Sequence, residues 1–471
     1  MAFSRLTRSS FVAGTASLAA AAATVGASAL TPLEVAVLVD VNAAAPGTPI
    51  PADFLGLSVE SERLAEPTFV NADNVSLVAL FRRLGTGLVL RIGGESLQRV
   101  SFTNGAAPAG SNAIAIGPAD IARLAAFLNA TGWRAIYGID LAHGTPDAAA
   151  AQAAAVNTGL GARLAAFEIG NEPDRYAATG ARPASYGYPE YQAEFASFAT
   201  AIGFRAPAAR IAGPGVATTA MPFLDRFARD RQGALLTAHY AGAQADDPAL
   251  AIPALLRPNP ARAALLAQLR ADAGANGAFR LTELDPVSRP GKAGVSDVFA
   301  AALWTLDVLF QIAAAGGAGV NVDLPRTGFL APIVADDAGT HLVRPSYYGL
   351  LAFSLASHGT LISAVTDRRE VDLASYTVRA EDGTTIVTLI NKDLAQEALV
   401  TIDLHRSLAR VNIVRLNAGA VDALRGVTLG GTAVGLDGSY VPHPPEQTSP
   451  NGGTTAAVRV APASAAIVSL G

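Results

Sequence analysis

From about residue 52 to residue 360, short apolar runs alternate with stretches whose apolar residues recur at helical spacing. The runs are Phe54–Glu60, Leu88–Gly93, Ala135–Asp140, Ala166–Glu172, Arg210–Gly213, Leu235–Tyr240, Phe279–Glu283 and Gly319–Leu324. Each ends in a glycine, a polar residue or a charged residue, as expected where a strand opens into a loop. Between them, Val75–Leu84 and Pro118–Ala130 show the helical period, the second with proline at its start. Pro189–Phe204, Met221–Arg231, Ala261–Ala273, Ser296–Ala315 and Ser346–His358 follow, and an alanine-rich piece between Pro146 and Gly161 is the weakest helical pattern. Eight βα units in succession predict a (β/α)8 TIM barrel. An open doubly wound sheet is the alternative, but no GxGxxG follows the first strand to support it.

After residue 360 the texture changes. Val371–Arg379, Thr384–Asn391, Leu399–Leu404, Val411–Leu416 and Ala456–Val460 alternate or carry β-branched residues, with Gly, Asp, Asn and Pro between them. That pattern predicts a C-terminal antiparallel β-sandwich. Leu33–Val41 reads as one more strand, placed before the barrel, and is expected to pair with the C-terminal sheet. The Pro- and Gly-rich stretch Gly438–Gly453 reads as a loop. The expected organisation is therefore an export signal over 1–29, an N-terminal strand over 30–50, a barrel over 51–360 and a sandwich over 361–471.

Composition narrows the class. With 471 residues, 51% hydrophobic and 15% charged, the chain fills a large core and is not a disordered protein. A net charge of -5 gives no electrostatic case for nucleic acid or an anionic membrane surface. Arg5 and Arg8, the apolar stretch Phe11 to Val25 and the small-x-small site Ala27-Ser28-Ala29 read as an export signal. Thr7 to Gly14 resembles a twin-arginine signal with Ser9 in place of the second arginine, which leaves the general secretory route equally open. A retained alanine-rich helix is the alternative reading. The expectation is a secreted or periplasmic protein with no membrane attachment once the signal is removed. The absence of cysteine excludes disulfides and a lipoprotein anchor. Phe299 to Val322 is apolar enough to suggest a membrane span, but Asp307, Gln311 and its glycines favour a buried helix running into a strand.

In a barrel, the C-terminal ends of the strands face the active site. The fourth strand ends Phe167-Glu168-Ile169-Gly170-Asn171-Glu172-Pro173 and the seventh ends Arg280-Leu281-Thr282-Glu283. Two carboxylates are thus expected at strand ends, three strands apart. Glycoside hydrolysis needs such a pair, one to protonate the departing oxygen and one to attack or stabilise the anomeric carbon. A lone glutamate at a strand end is more commonly a salt-bridge partner, so the surroundings carry the weight. Asn171 is placed to hydrogen-bond a sugar hydroxyl, and Tyr240, ending the sixth strand, to orient Glu283. Arg91, ending the second strand, is placed to keep Glu283 ionised. Glu172 has no cationic neighbour visible in the sequence and is expected to stay protonated in a drier setting. Strand alternation turns His239 away from the face assigned to Tyr240, as a supporting residue only.

These residues resemble a known family. Phe54-Leu55-Gly56-Leu57-Ser58-Val59-Glu60, Leu90-Arg91-Ile92-Gly93-Gly94 and Glu168-Ile169-Gly170-Asn171-Glu172-Pro173-Asp174 are similar to glycoside hydrolase family 79, the β-glucuronidases and heparanases. Gly294-Val295-Ser296-Asp297, Ala302-Leu303-Trp304-Thr305-Leu306-Asp307 and Ser346-Tyr347-Tyr348-Gly349-Leu350 extend the likeness, which runs from about residue 33 to the C-terminus. The resemblance implies a retaining enzyme with Glu172 as acid/base and Glu283 as nucleophile, acting on a β-linked glucuronide or related glycan.

The chain also departs from that family. Where relatives carry a polar loop beginning Asn-Ser-Tyr-Tyr after the nucleophile, it has Leu284-Asp285-Pro286-Val287-Ser288-Arg289-Pro290-Gly291. Glu95 and Asp140 stand where asparagine is expected. A uronate needs cations or several donors. Arg289, Lys292 and Arg326, on the loops after strands seven and eight, are the candidates, beside the plainer reading of solvated loop charges. His143, after the third strand, is a candidate substrate contact. The sequence shows no metal-ligand spacing and no phosphate loop, and the chemistry requires no cofactor. The alternatives are the same chemistry on a neutral β-glycoside, and a carbohydrate-binding homologue without turnover.

Overall fold

The computed structural model describes residues 34–471 except 43, 45, 104–111, 232, 275–277, 336–338, 368–369 and 452. The expected export signal over 1–29 lies outside the described residues.

Eight parallel strands close into a barrel: Gly56–Glu60, Val89–Gly93, Arg134–Ile139, Leu164–Ile169, Ile211–Ala217, Leu235–Ala241, Phe279–Asp285 and Gly319–Asp323. The eighth returns to the first through Val322↔Leu57 and Asp323↔Ser58, which removes the open-sheet alternative. Each strand overlaps its predicted run. The fifth extends past Gly213 and Pro214, because a register shift against the sixth strand between Thr237 and Ala238 accommodates the proline. The fourth stops at Ile169, so Glu172 stands just beyond it.

The helices start and stop where local chemistry requires. Val75–Leu84 begins at Asn74, whose side chain accepts from the Leu77 amide, and Pro118–Thr131 ends at Gly132 in the left-handed conformation. The alanine-rich stretch is a full helix, Pro146–Leu160, capped by the Thr145 hydroxyl. Alanine's helix propensity and the cap suffice where amphipathic patterning is faint. Phe299–Ala314 is apolar on every side because the helix Pro345–Ala356 and the second domain cover it. The strand Gly319–Asp323 follows it. Among the described residues no helix is long and apolar enough to cross a membrane.

The second domain stacks two sheets over a core that includes Val37, Val39, Leu389, Val400, Val458 and Val468. One sheet runs Ala364–Asp367, Glu34–Val41, Glu397–Asp403, Thr455–Val460. The other contains Thr360–Ile362, Leu373–Arg379, Thr385–Asn391, Ser464–Leu470 and Val411–Asn417, with Gly47–Pro49 on its edge. The sandwich is antiparallel as expected in every pair but one: Glu34–Val41 runs parallel to Glu397–Asp403. No hairpin joins these strands, since the barrel lies between them in sequence, so nothing imposes an antiparallel direction. Gly438–Gly453 is not wholly loop, because Glu446–Thr448 pairs with Val411–Ile413. A buried ion pair ties the two domains. Asp307 on the barrel helix accepts from Lys392 Nζ at 2.9 Å and from the Tyr376 hydroxyl at 2.5 Å, both from the sandwich.

Candidate active site

The lowest layer inside the barrel contains Val89, Ile136, Ala166, Ala212 and Leu235. Counting two residues up each strand from that layer gives the next inward positions. From Val89 the count reaches Arg91, from Ala166 it reaches Glu168, and from Leu235 it passes Thr237 to His239. On the seventh strand the register shifts between Leu281 and Leu284. Thr282 below the break meets Glu168 inside the barrel, whereas Glu283 and Asp285 above it line the mouth.

Arg91, fully buried, is the hub. Its Nε donates to Glu168 Oε2 at 2.7 Å, Nη1 to Glu283 Oε1 at 2.5 Å and Nη2 to Asn171 Oδ1 at 2.9 Å. Thr282 Oγ1 donates to the other oxygen of Glu168 at 2.8 Å. One guanidinium therefore fixes the seventh-strand glutamate, the asparagine just past the fourth strand and a buried glutamate, using the fork geometry that a lysine lacks. Burial alone would raise the Glu283 carboxyl; His239, Arg91 and Arg289 outweigh it and hold it well below the usual carboxylate range.

Glu172 adopts a left-handed conformation (φ 47°, ψ 52°), and its amide donates to the Gly215 carbonyl at 2.8 Å. Its expected isolation from cations is not observed. Arg175, one short turn further on, donates from Nη1 to Glu172 Oε2 at 2.7 Å. His239 Nδ1 stands 3.5 Å from Glu172 Oε1 and 3.9 Å from Glu283 Oε2, so one imidazole sits against both carboxylates. The sum of those distances bounds the separation of the two oxygens and keeps both within reach of a single sugar ring. Burial would raise Glu172, but His239, with Arg175 adding to it, draws it below its ordinary value. Burial would lower His239, yet Glu283 and Glu172 outweigh burial and Arg91 and raise it.

His239 thus corrects the expectation that it is turned away. The period-two count was sound but started from Tyr240, which lies at the rim as the strand ends. Counted from Leu235, the inner face belongs to His239. Tyr240 lines the same cavity, and among the described residues its hydroxyl makes no hydrogen bond to Glu283.

The cavity has a volume of about 620 Å³ and is lined by Asn171, Glu172, His239, Tyr240, Glu283 and Arg289. Glu95, Asp174, Arg175 and Asp285 also line it. A larger one, about 970 Å³, lies between the barrel bottom and the sandwich and is lined by none of the candidate site residues. Of the uronate candidates only Arg289 reaches the first cavity. Its Nε donates to Asp323 Oδ2 at 2.6 Å, Nη1 pairs with Glu60, and Nη2 lies 3.7 Å from Glu283 Oε2. Lys292 donates to the Asp247 carbonyl at 2.7 Å and Arg326 pairs with Glu66, both outside the cavity lining. Asp140 accepts from the Ala142 amide at 2.8 Å and so closes its own loop, with the exposed His143 3.9 Å away; neither lines the cavity. Glu60, Glu168, Asp174, Arg175, Asp285 and Asp323 were not singled out as site residues from the sequence. For Glu60 and Asp323 the signal was present, since both are charged residues at strand C-termini.

The chain matches no family model and no curated protein. Its fold is similar to solved structures of glycoside hydrolases. A 4-O-α-L-rhamnosyl-β-D-glucuronidase from Fusarium oxysporum 12S aligns over 90% of this chain and 99% of its own, at 18% identity and a TM-score of 0.70. A GH51 arabinofuranosidase from Xanthomonas axonopodis pv. citri aligns over 93% and 100%, at 15% identity and a TM-score of 0.67. CelM2, a bifunctional glucanase-xylanase from a metagenome library, aligns over 92% and 99%, at 14% identity and a TM-score of 0.65. At these identities the likeness shows the fold.

Proposed function

We propose that the protein is a retaining β-glycoside hydrolase in which Glu283 is the nucleophile and Glu172 the acid/base. The observation that carries this reading is two carboxylates held against one imidazole, at 3.5 and 3.9 Å, in unequal cationic surroundings. Glu283, gripped by Arg91 and flanked by Arg289, is the carboxylate kept ionised. In the first step its oxygen bonds to the anomeric carbon as the bond to the aglycone oxygen breaks, and that oxygen takes the proton of Glu172. In the second, Glu172 accepts a proton from water, the water oxygen bonds to the anomeric carbon, and Glu283 leaves as carboxylate. Because His239 and Arg175 draw Glu172 below its ordinary value, its protonated form dominates only in acid, and the optimum lies there.

Two substrate readings remain. A β-linked glucuronide is implied by the resemblance to family 79 and supported by the Fusarium relative, itself a β-D-glucuronidase. A neutral β-glycoside is favoured by the engagement of Arg289, Lys292 and Arg326 with acceptors of the protein itself. A panel of aryl β-glucuronide, glucoside, xyloside and arabinofuranoside, with the product anomer read by NMR, separates the two. Glu283→Gln is expected to abolish turnover of every member. Glu172→Ala is expected to spare substrates with good leaving groups and to respond to azide. Undiminished turnover in Glu283→Gln would refute the assignment. Export through residues 1–29 is part of the same proposal, and N-terminal sequencing of secreted protein tests it.

A further inference from the structure

Among the cavity-lining carboxylates that the mechanism leaves without a task, Asp285 stands nearest the nucleophile in its strand. It lies two residues beyond Glu283 on the same strand and, by strand alternation, on the same face. It is 6% exposed, lines the cavity, and its Oδ1 is shut off from solvent without a hydrogen-bond partner. A buried carboxyl oxygen left unpaired is costly, and one that belongs to a cavity-lining side chain points to a ligand as its partner. The neighbouring cations are already engaged. Arg289 serves Asp323, Glu60 and Glu283, and Arg91 serves Glu168 and Glu283. Asp323, the other close neighbour, is an acid whose own Oδ1 is likewise unpaired, so among the described residues no donor is left for Asp285 Oδ1.

We infer that Asp285 is a specificity-determining residue, its carboxyl group hydrogen-bonding a ring hydroxyl of the sugar whose anomeric carbon Glu283 attacks. The inference rests on the glycosidase reading. One step above the nucleophile on the same strand face is where the body of that sugar lies, while its anomeric carbon meets Glu283. Burial, Asp323 and Glu283 raise the Asp285 carboxyl well above its ordinary value against the pull of Arg289, which favours the neutral form, able to donate as well as accept. A neutral acid beside an ionised nucleophile adds no repulsion and supplies a donor that the arginines no longer offer.

The test is a cycle between Asp285 and the sugar. Turnover of an aryl β-glycoside and of its 2-, 3-, 4- and 6-deoxy analogues is measured for the unaltered protein, Asp285→Ala and Asp285→Asn. The sugar is the best substrate of the panel above. Asp285→Ala is expected to lower kcat/KM for the parent sugar roughly 10- to 100-fold. Against one deoxy analogue the loss should vanish, because that hydroxyl is the partner. Asp285→Asn, which keeps a neutral donor and acceptor, should recover most of the activity. An equal loss on every deoxy analogue would make the residue merely structural and overturn the inference. So would unchanged kcat/KM in Asp285→Ala, or a loss confined to glucuronides, which would make a carboxylate the partner. Glu283→Gln, run alongside, separates this failure from failure of the glycosidase reading, since only the latter leaves that variant active.

Discussion

Replacing His239 by glutamine removes the one cation that both glutamates share. The imidazole nitrogen stands 3.5 Å from Glu172 and 3.9 Å from Glu283. At such a separation a charge pair is worth about 5 kcal/mol at an effective dielectric of about 20, and about 1 kcal/mol in bulk water. One pKa unit corresponds to about 1.36 kcal/mol, so the substitution moves each carboxyl by on the order of one to three units. The sign is the same for both. In the proposed mechanism Glu283 acts ionised and Glu172 protonated; losing the cation raises the Glu283 pKa, so the acid limb of kcat/KM moves to higher pH. The pKa of Glu172 rises too, so the alkaline limb follows. Arg91, Arg289, Arg175, Asp174, Asp285 and Asp323, which also act on or answer to the two carboxyls, are unchanged by the substitution. The pair titrates jointly, so the limbs describe the pair rather than either residue. The assay is kcat/KM for an aryl β-glycoside from pH 3 to 9, with thermal melts to confirm folding. Limbs that stay in place, or that move in opposite directions, would refute the placement of His239 as a shared cation.

Two further outcomes concern stability. Lys392→Met leaves Asp307 buried with its charge uncompensated and is expected to cost about 3–5 kcal/mol in urea unfolding. Adding Asp307→Leu should recover much of that loss, without altering kcat/KM per folded molecule. Asp174, whose Oδ1 is buried without a partner, is pushed up to about 6, first by burial and then by Glu172. A carboxyl raised on folding favours the native state below its unfolded pKa and loses that contribution as pH rises toward the folded value. Asp174→Asn should therefore melt higher than the unaltered protein at pH 7 and match it near pH 3.

The barrel was legible because its pattern is redundant: eight apolar runs with helices between them leave few topologies. Arg91, Asn171, Glu172 and Glu283 were legible for a related reason, since strand C-termini in a closed barrel must converge. His239 was misread by one step of parity, because the inner face was inferred from Tyr240 at the rim rather than from Leu235 at the base. Asp140 and His143 were misplaced since the third strand ends at Ile139, and the aspartate turns to bond its own loop amides. Arg289 was recognised as a candidate cation for the sugar, but not as one held by carboxylates from the ends of the first, seventh and eighth strands. Those neighbours lie up to 229 residues away in sequence. Such convergence is a property of closure, and no local pattern announces it.

The same closure explains how two identical side chains come to differ. Glu283 is still within its strand, and the Arg91 guanidinium bonds it directly. Glu172 comes after the fourth strand has ended, in a left-handed conformation that costs an L-residue roughly 1–2 kcal/mol. The bond from its amide to the Gly215 carbonyl and the short helix opened by Pro173 hold it there. That turn lifts the glutamate off the strand line. No hydrogen bond joins Arg91 to Glu172 among the described residues, and the cations it meets instead are His239 at the wall and the largely exposed Arg175. An imidazole loses its charge as pH rises, and an exposed arginine is screened by solvent. The buried guanidinium under Glu283 does neither. The fold thus gives one carboxylate a permanent counter-charge and the other a conditional one, and that asymmetry is what a nucleophile and an acid/base require of the same residue type.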